Sequence, residues 1–335
     1  MIENKTFIIA ELSANHNHDF DLALRTIQAM AQAGADAVKV QTYTADSLAL
    51  DVDNEYFGAK KEGLWKGIRP YDLYREGMMP YEWQPKLKKY AEELGLLFFS
   101  TPFDVQGVDF LEEMDVPIYK IASFEINDIP LIEATARKGK PLLISTGVAD
   151  LSDIELAINT CKYVGNEDIT LLKCTSQYPA TIEQANLKTI PDMKKRFGVK
   201  VGLSDHTMGW LVPVTAVALG ATVVEKHFIL DRTLGGPDAS FSMEPQEFKE
   251  MVNLIRDAEK AMGKISYEIT DKDRNKRRSL FASADIKQGD VFTESNVRSL
   301  RPGFGLPPCH YMELLGKKSP RDISKGDIIR MSDIN

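Results

Sequence analysis

Eight short apolar runs in the first 263 residues each end in side chains able to bind or to react. In chain order these are Glu11; Lys39 and Gln41; Ser100 and Thr101; Lys120 and Ser123; Ser145 and Thr146; Lys173 and Thr175; Ser204, Asp205 and His206; and Glu225, Lys226 and His227. Ammonium groups supply charge and hydroxyls supply directed hydrogen bonds. Lys39 and Lys120, with the serines and threonines, therefore suit an anionic substrate rich in acceptors, such as a phosphate. His206 and His227 end successive runs, and two imidazoles suit a divalent transition ion while leaving positions open for water and substrate. The competing reading is a general-base histidine beside a structural one. Lys173 and Lys226 are weaker candidates, because side chains alternate faces along a strand. Asn15, His16 and His18 follow the first run and are expected to line the mouth of a site, whereas His310 reads as a surface residue.

The elements that must position these groups follow from periodicity. The apolar runs lie at 7–10, 37–40, 96–99, 118–121, 141–144, 169–172, 201–203 and 222–224, and segments of helical period lie between them, including 21–33, 81–94, 151–163 and 245–262. Eight strand–helix units in about 260 residues match a (β/α)8 TIM barrel, whose chemistry sits at the C-terminal ends of its strands. Eight polar strand ends then form one ring around one pocket. An open doubly wound sheet would carry a glycine-rich phosphate fingerprint after its first strand; here ELSANHNH follows instead.

Composition narrows the function classes. The chain has 335 residues, 43% apolar and 27% charged, as a globular protein does. Its net charge of −8 argues against a nucleic-acid partner, which would favour a basic excess. No apolar run approaches the ~20 residues that span a bilayer, so no membrane partner is expected. The opening MIENKTFIIAEL is too short and too acidic for a signal peptide, and Cys161, Cys174 and Cys309 lack metal or redox spacing. A cytoplasmic protein is the expectation.

Charge also divides the chain. Residues 264–335 carry 14 basic and 10 acidic side chains, against 27 and 39 in residues 1–263. The change falls in the polar stretch EITDKDRNKRRS, which suggests a barrel domain over 1–263, a linker over 264–280 and a small β-rich domain over 281–335. Residues 285–297 (DIKQGDVFTESNV) and 322–334 (DISKGDIIRMSDI) repeat one pattern at an offset of 37, so this small domain should be pseudo-symmetric. Arg301 sits between the repeats in the rigid turn RPGFG.

The segments FIIAELSANHNHD, ADAVKVQTY, FFSTPFD, YKIAS, LISTG, LLKCTS, GLSDHT, VVEKHF and GGPD, with RPGFG in the tail, occur in one order. Together they resemble the sialic-acid (nonulosonate) synthase family, transferases that join phosphoenolpyruvate to an N-acetylated amino sugar. The resemblance covers essentially the whole chain and implies a C-terminal antifreeze-like (SAF) domain. It implies that Lys39, Thr101, Lys120, Ser123, Ser145 and Ser204 hold phosphoenolpyruvate. Ser176 occupies a position where the family usually has asparagine, which alters that contact. It further implies Mn2+ or Mg2+ on His206 and His227, with Glu11 beside the reacting atoms to handle a proton or orient water. Tyr178, Asp238, Phe281 and Arg301 would meet the sugar, Arg301 across a domain-swapped homodimer.

The segment 43–83, with GLWKG, YDLY and PYEW, looks like the pseudaminic acid synthase branch of that family, whose sugar is 2,4-diacetamido-2,4,6-trideoxy-L-altrose. Trp65, Tyr71, Tyr74 and Trp83 would then offer an aromatic wall to a less polar sugar. The N-acetylneuraminate and legionaminate synthases, which use mannose-configured sugars, are the alternatives. A Schiff-base aldolase with Lys120 or Lys173 as nucleophile is a more remote one.

Overall fold

A computed structural model describes residues 5–334. Eight parallel strands follow one another around a closed barrel. They are β1 (Phe7–Glu11), β2 (Ala37–Thr42), β3 (Leu97–Pro102), β4 (Tyr119–Ile121), β5 (Leu142–Ser145), β6 (Ile169–Cys174), β7 (Lys200–Asp205) and β8 (Val223–His227). Closure is made by β1, which bonds to both β2 and β8 and pairs Glu11 with Lys39 on one side and with His227 on the other. This closure excludes the open doubly wound sheet.

The helices are α1 (Phe20–Gln32), α2 (Ala45–Leu48), α3 (Pro70–Gly77), α4 (Gln84–Glu93), α5 (Val105–Glu113), α6 (Ile129–Ala136), α7 (Leu151–Tyr163), α8 (Thr189–Phe197), α9 (Leu211–Ala218) and α10 (Pro245–Met262). Their starts are encoded locally. Asp19 caps α1 by accepting from the Leu22 amide, and Asp150 and Asp153 form a reciprocal capping box on α7. The long connection between β2 and α4 contains α2 and α3 but no helix or strand over residues 49–69.

The strands outrun the apolar stretches that announce them. β8 continues beyond 222–224 through Glu225, Lys226 and His227, all buried. A parallel ladder satisfies the backbone whatever the side chains are, so polar residues can extend a strand where their own groups find partners. Period-two alternation then sets which of them face the barrel axis. Two residues below the inward polar groups of five strands stand Ile9, Ala37, Phe99, Leu143 and Leu172, all buried, and these plug the barrel floor. Each large one contributes about 1.5–3 kcal/mol by leaving water. Gly202 belongs to this floor as well. A Cβ there would lie 2.6 Å from the Val223 carbonyl oxygen and 2.7 Å from Leu172 Cδ2, so only glycine fits between those neighbours.

The chain divides into two compact units, Met1–Gly263 and Lys264–Asn335. In the second, β9 (Ser279–Ala282) pairs antiparallel with β10 (Val297–Leu300), so the first strand opens inside the stretch expected as linker. The sequence repeat becomes a local two-fold arrangement. Ile286 and Ile323 exchange both backbone hydrogen bonds, Asp322 accepts from the Gln288 amide, and Asp285 accepts reciprocally from the Lys325 amide. Leu280, Ile286, Phe292, Val297, Leu306, Leu314, Ile323 and Ile329 form its separate apolar core.

Candidate active site

At the C-terminal end of the barrel, Lys39 on β2 lies between two carboxylates. Its ammonium pairs with Glu11 of β1, stands 3.7 Å from Glu225 of β8 and donates to Thr101 Oγ1 of β3 at 3.1 Å. All four side chains are buried. Ser204 of β7 donates to Glu225 Oε1, and the Ser13 amide donates to Glu11 Oε1. The second oxygen of Glu11 takes the Lys39 ion pair, whereas that of Glu225 has no hydrogen-bond partner. Two buried acids sharing one lysine cannot both be held ionised equally. Burial pushes the Glu11 carboxyl up despite Lys39, whereas Glu225, against the same burial, is held below the ordinary range by Lys39 and Lys120. A pair of carboxyls pushed apart in this way divides into one that holds a proton and one that accepts it.

Lys120 of β4 is the second inward lysine; its ammonium donates to the Ile121 carbonyl, and burial lowers its pKa. Around it the loops after β4, β5 and β6 gather hydroxyls. Ser123 Oγ accepts from the Gly147 amide at 3.0 Å, and Ser176 Oγ lies 3.9 Å from Cys174 Sγ. The buried Ser145 hydroxyl has no partner. A Cβ on Gly147 would come within 2.2 Å of Ser176 Oγ and 2.8 Å of Ser123 Oγ, so glycine keeps this cradle open. Ammonium groups, free hydroxyls and a glycine-lined hollow make a site for an oxyanion.

His206 and His227 meet above this layer, with ring centroids 5.2 Å apart. His206 Nδ1 donates to the Thr175 carbonyl at 2.9 Å, which fixes the tautomer and leaves Nε2 as a lone-pair donor. His227 is held neutral by burial and by neighbouring cationic groups, and its Nδ1 is buried without a hydrogen-bond partner. With both rings unprotonated, two imidazoles so placed suit one divalent cation. Among the described residues no group of three or more His, Cys, Asp or Glu side chains is gathered around such a position. Asp238 Oδ2 stands 3.8 Å from His227 Nδ1 and accepts from the Ser13 hydroxyl.

A cavity of about 380 Å³ opens over His227 and Asp238. Ser13, Gln41, Lys60, Glu125, His227 and Asp238 supply its polar groups; Tyr43, Leu48, Trp65, Leu73, Tyr74, Phe103, Phe124 and Tyr178 supply most of the apolar wall. The Tyr178 ring lies 4.5 Å from the His206 ring and 5.1 Å from that of Phe241. Burial pushes the Glu125 carboxyl up to about 7, against the pull of Lys120. Its folded pKa is therefore above the ordinary 4.5, and the stability it allows is lost as pH rises from there through about 7. Glu125→Gln lacks this titration. Urea unfolding across that window should show the variant gaining on the native protein as pH rises, by at most about 3 kcal/mol; a constant difference would contradict the burial argument.

Several expectations are corrected by this geometry. Asn15 and His16 do not line the cavity: Asn15 Nδ2 donates to the Phe228 carbonyl and Ser242 Oγ, and His16 packs edge-on against Trp83 and His18. Ser100 faces away, donating to the Val40 carbonyl. Lys226, one residue out of phase with Glu225 and His227, is buried against Asp205 and the Thr207 carbonyl. Lys173 bonds to the Cys174 carbonyl and Thr175 Oγ1. Of the four aromatics expected to form the wall, Trp65 and Tyr74 reach the cavity. Tyr71 bonds to Asp46, and Trp83 packs on Phe20 and His16. Phe281, half-buried in β9, and Arg301, exposed on the turn after β10, belong to the second unit.

Residues 26–267 match the NeuB family and residues 277–335 match the SAF domain. The chain belongs to the NeuB family. Among proteins of that kind, it is 48% identical to a pseudaminic acid synthase of Campylobacter jejuni, over 99% of this chain and 97% of that one. It is 44% identical to the pseudaminic acid synthase of Helicobacter pylori, over 98% and 97%. A crystal structure of an N-acetylneuraminic acid synthetase from Leptospira borgpetersenii, in complex with citrate, superposes with a TM-score of 0.72 at 36% identity, covering 81% of this chain and 90% of that one.

For a NeuB-family barrel, the residues that sequence reasoning left without a role are Glu225 and Glu125. Glu225 stands two positions before His227, so strand period alone places both on one face. Glu125 follows β4 on a 3₁₀ turn, where no periodicity points inward.

Proposed function

We propose that the protein is a pseudaminic acid synthase, condensing phosphoenolpyruvate with 2,4-diacetamido-2,4,6-trideoxy-L-altrose and water to give phosphate and a nine-carbon nonulosonic acid. The observation that carries this reading is the similarity to pseudaminic acid synthases through both units of the chain, on a barrel whose mouth gathers an oxyanion cradle, two histidines and an apolar cavity.

Lys39, Thr101, Lys120, Ser123, Ser145, Ser176 and Ser204 would hold the phosphate and carboxylate of phosphoenolpyruvate. Lys120 would also meet the negative charge that builds as phosphate departs. His206 and His227 would hold Mn2+ or Mg2+, which when bound supplies Lewis acidity toward the sugar aldehyde. Carbon 3 of phosphoenolpyruvate attacks the aldehyde carbon, and water adds to carbon 2. The bond from carbon 2 to the phosphate oxygen then breaks. Glu11 would deliver a proton to the aldehyde oxygen, and Glu225, as carboxylate, would take one from the water. Tyr178 and Asp238 would orient the sugar. We read Phe281 and Arg301 as further sugar contacts made across a domain-swapped homodimer, with residues 264–280 as the linker, in a cytoplasmic enzyme. No helix among the described residues is long and apolar enough to cross a membrane.

The bond that breaks is the test. Phosphoenolpyruvate carrying oxygen-18 in the bridging position should transfer the label to inorganic phosphate. Label retained in the nonulosonic acid would mean cleavage between phosphorus and oxygen, and would overturn the mechanism.

A further inference from the structure

We propose that the loop over residues 60–68 is the specificity element of the sugar site, with Trp65 and Lys60 reading an acetamido group on carbon 4. The inference rests on the reading above, that the substrate is an N-acetylated aldose bound with its aldehyde toward the histidines.

The loop is closed on itself. The Lys60 amide donates to the Ile68 carbonyl at 3.0 Å and the Gly67 amide donates back to the Lys60 carbonyl at 2.8 Å. Gly63 and Gly67 have φ of 83° and 86°, a region that other residues enter only with strain. The Trp65 indole donates to the Pro237 carbonyl at 3.0 Å, which pins a loop that follows β2 to a segment that follows β8, across the mouth. Lys60 Nζ lies 4.7 Å from the Trp65 ring centroid, and both side chains line the cavity. Among the described residues no carboxylate lies within 4.0 Å of that ammonium, so the ring is its main neighbour.

Position along the cavity assigns the role. Tyr178 packs on His206, and Trp65 packs 5.6 Å beyond Tyr178, one ring further from the histidines. A sugar chain starting at the histidines therefore passes Tyr178 with its first carbons and reaches Trp65 and Lys60 with its distal half. The candidate sugars diverge there. The diacetamido trideoxy sugars carry an amide on carbon 4 and a methyl at carbon 6, where N-acetylmannosamine carries hydroxyls. An acetamido group satisfies both neighbours: its methyl lies on the indole face, and its carbonyl accepts from an ammonium that otherwise loses water without compensation. Leu48 and Leu73 on the same wall suit the carbon-6 methyl.

The test compares the full chain with Trp65→Ala, Trp65→Phe and Lys60→Met, each assayed for phosphate release with a diacetamido sugar and with N-acetyl-D-mannosamine. The native protein must first turn over a diacetamido sugar; if it does not, the reading of the substrate falls and this inference falls with it. Given that turnover, Trp65→Ala and Lys60→Met should each raise KM for the diacetamido sugar on the order of tenfold. KM for phosphoenolpyruvate should stay within about twofold, and the preference over N-acetyl-D-mannosamine should shrink by the same factor. Trp65→Phe, which keeps the wall but loses the bond to Pro237, should retain most of the affinity. An unchanged KM in Lys60→Met, or a Trp65→Phe loss as large as that of Trp65→Ala and common to every substrate, would overturn the inference while leaving the reaction intact.

Discussion

Lys39→Met is expected to abolish turnover and to destabilise the barrel. The lysine is the cation that Glu11 and Glu225 share, and all three are withdrawn from water. Removing one partner of a buried ion cluster costs about 3–5 kcal/mol, because charge is left without compensation. Neither carboxylate can reach water easily, so each answers by holding a proton. A carboxyl whose folded pKa rises above its unfolded value contributes stability below the unfolded value and loses it as pH climbs. The penalty in Lys39→Met should therefore be smallest in mild acid and grow above pH 4.5, the ordinary value from which burial already displaces Glu11. Urea denaturation of native and variant protein at mildly acidic and mildly alkaline pH measures this. A penalty independent of pH would show that the two carboxylates are not coupled through Lys39. Activity should fall about a hundredfold to a thousandfold even where the variant is folded, the usual scale for removing one preorganised charge from a site that binds and stabilises an anion.

The second large effect is expected at the histidines. His206→Ala removes a ring held in one tautomer by the Thr175 carbonyl, and with it one of the two imidazoles that stand together at the ends of β7 and β8. Metal affinity, measured by titration calorimetry with Mn2+, should drop at least about a hundredfold, since even the loss of a hydrogen bond to a ligand costs tenfold or more. Turnover should drop with it, while phosphoenolpyruvate binding, which we assign to the lysines and hydroxyls beneath, should persist. Full activity with an unaltered response to chelators would remove His206 from a metal-holding role.

Much of this architecture is legible in the chain because barrel strands announce themselves twice, by β-branched runs and by the polar residues that end them. The strands at 169–174 and 200–205 and the helix at 151–163 coincide closely with the pattern. The phase of a polar residue is legible where a partner fixes it: His227 and Glu225 share a face, and Lys226 between them must look outward. Its buried partner Asp205 is not legible, because it comes from the neighbouring strand. The floor of the pocket reads as basic from its lysines alone, yet Lys39 is matched by two acids that meet it only when β1, β2 and β8 close. The loop over residues 60–68 has neither helical nor strand period, so whether Trp65 or Trp83 faces the cavity is decided by packing. Trp83 is drawn under His16 and Phe20, whereas Trp65 is tied to Pro237. In the second unit the reverse holds: the repeated D-I-x-x-G-D pattern alone foretells the paired Asp285 and Asp322 contacts.

The most direct test of the central claim is phosphate release from phosphoenolpyruvate in the presence of Mn2+, with three sugars assayed in parallel. They are 2,4-diacetamido-2,4,6-trideoxy-L-altrose, 2,4-diacetamido-2,4,6-trideoxy-D-mannose and N-acetyl-D-mannosamine. The account predicts release with the altrose compound and little or none with the other two. Release with a mannose-configured sugar alone would contradict the assignment as a pseudaminic acid synthase.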